Sequence, residues 1–169
     1  FDQYSNFARI GEGSLGGKGR GLAFLDRMIK KVRENEIEHA DLLHIPKTLV
    51  LCTDIFDEFM ETNDLYGIAM SDISDEDMLS CFLRGRLPHR LLADLEVFIE
   101  VVKTPLAIRS SSLLEDSHYQ PFAGIYSTYM IPYDEDKYCR LEMLSNAIKG
   151  VYASVYFRGS KDYMTATSN

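Results

Sequence analysis

The 169-residue chain has no run of apolar residues approaching the ~18 that a membrane-spanning helix needs, and no basic-then-apolar segment at its start. The pattern points away from a membrane and towards the cytoplasm. Cysteine is sparse: Cys52, Cys81 and Cys139 lie far apart, with no CxxC and no Cys/His ligand spacing. Neither a zinc site nor a disulfide framework is suggested, and all three are expected to be reduced and buried. Cations are also scarce, with 18 Lys and Arg against 26 Asp and Glu, for a formal net charge of -8. That balance argues against a general nucleic-acid binder, because duplex binding rests on neutralising many phosphates with clustered Lys and Arg. A single small anion is a different matter. It needs only a local group of cations and backbone N–H donors, which an acidic protein can supply.

What is present suits one globular core: 46% of residues are hydrophobic, 11% aromatic and 26% charged. The chain opens at Phe1 without Met and ends in the polar run TATSN, which reads as a piece of a longer protein whose remainder holds part of the site. The segment 161–169 is expected to be a loose tail.

A Gly-rich stretch, GEGSLGGKGRG at 11–21, runs into Leu22, Leu25, Met28, Ile29 and Val32, spaced as on one helical face. After Pro46, TLVLC at 48–52 reads as a buried strand, and Thr53 or Asp54 is placed to cap the next helix, with Ile55, Phe56, Phe59 and Met60. Ser74 and Asp77 resemble a capping box ahead of a helix that Gly85 stops. Pro88 suits the first turn of a helix whose inward stripe is Leu91, Leu92, Leu95, Phe98, Ile99 and Val102. Together these helices, 54–104, read as a cap or insertion. LAIRSSS at 106–112 follows as a strand, and Phe122–Ile131, interrupted by Gly124, as an antiparallel partner closed by Pro132. A last helix is expected from Asp134 to Phe157, with Leu141, Leu144, Ile148, Val151 and Val155 inward and Gly159 as its stop.

Three segments can carry chemistry. In SLGGKGRG at 14–21, Gly16 and Gly17 permit close backbone approach to an anion and Lys18 adds a charge at a helix start. This is not a Walker P-loop, because Glu12 and Gly19 stand where that motif needs Gly and Ser or Thr. The structural alternative is a flexible turn with a solvated lysine. In AIRSSSLLEDS at 107–117, a strand ends in Arg109 and three hydroxyls. A part-buried guanidinium there requires a carboxylate or a phosphate, and its planar fork suits either; an internal ion pair with Glu115 or Asp116 is the alternative. Ser110 to Ser112 equally suit satisfying loop backbone. In PFAGIYSTYM at 121–130, Gly124 marks either a bulge or a place where a ligand comes close.

In this order the three segments resemble the N-terminal nucleotide-binding domain of phosphoenolpyruvate synthase and pyruvate phosphate dikinase, a group that includes rifampicin phosphotransferases and glucan water dikinases. The resemblance runs through LGGKGRGLAFL at 15–25, LVLCT with its upstream Pro46, IRSSSLLEDS at 108–117, FAGIYSTYM at 122–130 and AIKGVYASVY at 147–156, and is weakest between Glu61 and Lys103. It implies an α+β, ATP-grasp-like partial domain over 1–160, with a mixed or antiparallel sheet and flanking helices. It implies that Lys18 and Arg109 contact ATP phosphates and stabilise charge during phosphoryl transfer, with Gly16, Gly17, Ser110 and Gly124 also binding ATP. It further implies Mg2+ held by carboxylates outside this chain, and as partners the remaining ATP-grasp half and a phosphohistidine domain.

Family members commonly carry Gln after FAG and an acid before the following Thr, where this chain has Ile125 and Ser127. That departure motivates a rival reading, a non-catalytic interaction or regulatory module that keeps the fold without ATP turnover. The four histidines, His39, His44, His89 and His118, lack a phosphohistidine context, and the acidic run at 71–77 suits a capped helix start better than a metal site. The nature of the phosphoryl acceptor is set outside this chain.

Overall fold

The computed structural model describes residues 6–35, 43–111 and 127–167. Two small sheets and seven helices make a mixed α and β architecture among them. Strand β1 (Phe7–Ile10) pairs in parallel with β2 (Thr48–Leu51), in the register Phe7 to Thr48 through Ile10 to Leu51. Parallel neighbours require a crossover, and helix α1 (Gly16–Glu34) lies between them in the chain.

Four helices follow β2. In α2 (Thr53–Thr62), Ile55, Phe59 and Met60 fall on one stripe and are buried. Asn63 then ends the helix and bridges onward: its amide donates to Phe59 O and Arg86 O and accepts from Arg86 N–H. A short α3 (Tyr66–Met70) leads to α4 (Asp75–Arg84), which starts as its sequence indicates. Ser74 Oγ accepts the Asp77 N–H and donates to the Asp77 carboxylate, and three acids in the first turn suit the helix dipole. Helix α5 (His89–Val101) begins directly after Pro88 and buries Leu91, Leu95, Phe98 and Ile99.

Strands β3 (Leu106–Arg109) and β4 (Thr128–Ile131) form an antiparallel pair. Helix α6 (Lys137–Ser154) starts where Asp136 accepts the N–H groups of Tyr138 and Cys139. It packs on α4, α5 and both strands of the second sheet, so it is the axis of the core. Gly150 makes that closeness possible, since a Cβ there would stand 2.7 Å from the Tyr129 ring. Arg140 of α6 is buried and acts on α5: its guanidinium donates to the carbonyls of Ile99 and Val102, at the helix end where unpaired oxygens gather, and sits over the Tyr133 ring. An aromatic group of Phe56, Phe59, Phe82, Tyr152 and Tyr156 closes the space between α2, α4 and α6.

Several expectations are corrected. Strand β1 was not anticipated; FARI is too short and too mixed to show a period-two pattern. The α1 stripe is only partly covered: Leu22, Ile29 and Val32 are half-buried while Leu25 is 49% and Met28 42% exposed, and Asp26, ion-paired with Lys30, is buried. Among the described residues α1 lies against β1, and its first turn also meets Val50 of β2 and Ser111. Of the cysteines only Cys52 is buried; Cys81 and Cys139 are partly exposed. The last long helix ends at Ser154 rather than Phe157, and Gly159 is not its stop but lies in the first turn of α7 (Arg158–Thr167). Residues 161–167, expected to be loose, belong to that helix, where Lys161 Nζ donates to Ser71 O and Ser160 Oγ to Ser154 O.

Candidate functional site

The candidate residues collect where the turn after β1 meets the start of α2 and the end of β3. Neither Thr53 nor Asp54 caps its own helix, whose N-cap is Cys52 without a side-chain bond. Their side chains reach across to the Gly-rich turn instead. The Asp54 carboxylate accepts the N–H groups of Glu12, at 3.1 Å, and Gly13, at 2.9 Å, and Thr53 Oγ1 accepts that of Ser14 at 3.0 Å. Thr53 N–H in turn donates to Ser14 O. Side chains at Gly11 or Gly13 would collide with Asp54 and Thr53, so these two glycines are explained by the clamp. The Asp54 carboxyl is held below the usual range, first by the Gly13 N–H, against a desolvation that pushes the other way, then by the Glu12 N–H and the Arg90 guanidinium 3.6 Å away. Arg90 is itself anchored by Glu58.

The second contact joins the turn to β3. Ser111 Oγ accepts the Gly19 N–H and donates to Leu15 O, both at 2.8 Å. Gly16 has φ of +71°, a left-handed conformation that side chains resist, and any Cβ there would overlap the Ser111 carbonyl. Gly16 thus admits a protein carbonyl.

The structure places Gly16, Gly17 and Lys18 at the first three positions of α1, after an N-cap, Leu15, that lends no side-chain bond. Gly16 is buried, and Gly17 and Lys18 are half-buried. Arg109 ends β3 opposite Thr128. It is exposed rather than part-buried, and alternation is the reason: Leu106 and Ile108 turn to the core and α6, while Ala107 and Arg109 take the open face with Thr128 and Met130. No carboxylate among the described residues pairs with Arg109. Ser110, beside it, is half-buried. Gly124, Ile125, His118, Glu115 and Asp116 lie outside the described residues. The structure therefore brings the lysine turn and the arginine strand together through Gly16, Gly19 and Ser111.

Sequence reasoning misassigned one part of this arrangement and, while offering Ser110 to Ser112 as backbone partners, did not single out Ser111 for that role. Thr53 and Asp54 were assigned to the wrong partner, since capping residues look alike whether they serve their own helix or a distant turn. For Ser111 a signal existed in the RSSS run, but nothing in it separates the serine that bonds backbone from its neighbours.

In chemical terms, a cation at a helix start and a guanidinium on an open strand face are each donor types that suit an anion. Among the described residues no group of three His, Cys, Asp or Glu side chains can hold a metal ion, and no helix is long and apolar enough to cross a membrane. Residues 12–168 match the family model of the pyruvate phosphate dikinase AMP/ATP-binding domain. No curated protein and no solved structure gives a match.

Proposed function

Since the chain belongs to the pyruvate phosphate dikinase AMP/ATP-binding domain family, we propose that it is the ATP-holding part of a phosphotransferase in which Lys18 and Arg109 grip the phosphates. The observation that carries this reading is the joining of the two motif segments, 92 residues apart in sequence, by the Gly19 to Ser111 hydrogen bond. Lys18 adds its ammonium to the positive end of α1, and Arg109 offers its fork from the neighbouring strand end. Gly16, Gly17 and Ser110 flank these cations and would shape the backbone around the phosphates; Gly124 would do so from the segment before β4.

ATP, when bound, supplies the phosphoryl group, and the acceptor in this reading is a carrier histidine on another domain. The chain's own residues bind and orient: the two cations neutralise phosphate charge that grows as the phosphoryl group departs. In this reading Mg2+ is held by carboxylates in the other half of an ATP-grasp-like domain. In the same reading the helices over 54–104 are a cap or insertion of this domain.

ATP affinity in the full-length protein tests the reading. Lys18→Ala and Arg109→Ala are each expected to weaken ATP binding about tenfold or more, the effect of losing one charge-assisted contact. Unchanged affinity in both would overturn the phosphate roles and favour the non-catalytic module.

A further inference from the structure

We propose that Ser111 is a positioning residue that makes Lys18 and Arg109 act as one clamp, an inference that rests on the phosphate reading above. Its hydroxyl spans the first turn of α1, accepting from Gly19 N–H at one end and donating to Leu15 O at the other. Lys18 lies inside that turn, directly before Gly19. Ser111 itself follows Arg109 by two residues at the end of β3. One side chain therefore fixes the start of the lysine helix to the end of the arginine strand.

Little else among the described residues performs this task. Apart from this tie, the described contacts of α1 are to the first sheet, at β1 and at Val50 of β2, and its outer side exposes Phe24, Leu25 and Met28. The Thr53 and Asp54 clamp holds residues 12–14, which precede the helix. It fixes the turn to α2, not to β3. The tie is also built into the backbone: Gly16 takes a left-handed φ and leaves room for the Ser111 carbonyl, while Gly19 is buried between Leu15, Val50 and the Ser111 hydroxyl. Such close approach from two glycines to one serine means the spacing of turn and strand is set before any ligand arrives. Two cations held at a set spacing can engage neighbouring phosphates together, which lowers the ordering cost of the second contact.

The consequence is energetic coupling, which a purely structural serine would not produce. In the full-length protein, ATP binding is measured for wild type, Lys18→Ala, Arg109→Ala and the double variant, and the cycle is repeated with Ser111→Ala. In the wild-type background the two losses should be non-additive; Ser111→Ala should weaken ATP binding about tenfold and make them additive within error. Gly16→Ala, which leaves the hydroxyl in place but pushes away the Ser111 carbonyl, should reproduce both effects. If Lys18→Ala and Arg109→Ala weaken binding while Ser111→Ala keeps wild-type affinity and coupling, the inference fails and the phosphate reading stands. If neither cation matters, both fail together. Should Ser111→Ala not fold, Ser111→Cys loosens the tie without removing it, and undiminished coupling there overturns the inference.

Discussion

The helical body and the rim that carries the motifs are held in different ways. In the body, Phe59, Phe82, Ile55, Leu91 and Ile99 are fully or almost fully buried around α6, and each touches several neighbours, so that losing one contact leaves others. At the rim, the position of the lysine turn depends on single polar groups: the Asp54 carboxylate, the Thr53 hydroxyl and the Ser111 hydroxyl. Burial of this kind fixes a shape through many weak contacts, whereas directed hydrogen bonds fix a few distances. Variants in the body should therefore change stability and spare the grip of the folded molecule; variants at the rim should do the reverse.

The largest expected effect tests the first half of that contrast. Phe82→Ala empties a site packed against Phe59 and Tyr156 and should cost about 3–5 kcal/mol in urea unfolding. ATP affinity of the protein that remains folded should be unchanged. Next is Arg140→Leu, which strips two donors from the carbonyls of Ile99 and Val102 and leaves them buried. A loss of about 2–3 kcal/mol is expected by the same measurement, because an unsatisfied buried acceptor costs more than the bond it lost.

Asp54→Ala sharpens the other half. Removing the acceptor of two backbone N–H groups should cost only about 1 kcal/mol, yet it frees the turn that leads into Gly16 and Lys18. The effect depends on pH in a stated direction. The carboxyl is depressed in the folded state, so its contribution is fully present above the unfolded value of about 3.9 and is lost as pH falls through the lower folded value. The stability gap between wild type and Asp54→Ala should be constant near neutrality and close on acidification below about pH 4. The smallest effect is Glu12→Gln, which removes an exposed ion pair with Arg9 at 3.2 Å and should move stability by less than about 0.5 kcal/mol.

The same division explains what the sequence discloses. Elements of the body announce themselves: the α5 stripe, the Ser74 cap and the proline before His89 each follow from local pattern and from rules that act within a few residues. The family is legible too. The rim is less so, because its contacts cross about 40 to 90 residues and are made by residue types that serve many purposes. Thr53 and Asp54 look like caps of α2 and are instead clamps on a turn before α1. Gly16 looks like an opening for an anion and first admits a carbonyl of Ser111. Helix α1 is legible only in part, for another reason. Its apolar spacing is helical, but spacing tells which residues share a face and not whether anything covers it.

The most direct test of the central claim is an ATP titration of the full-length protein followed by amide nitrogen–proton spectra. The amides of residues 16–19 and 109–111 should shift together with one dissociation constant, while those of α4 and α5 stay in place. Shifts centred on α4 and α5, with residues 16–19 and 109–111 unmoved, would contradict it.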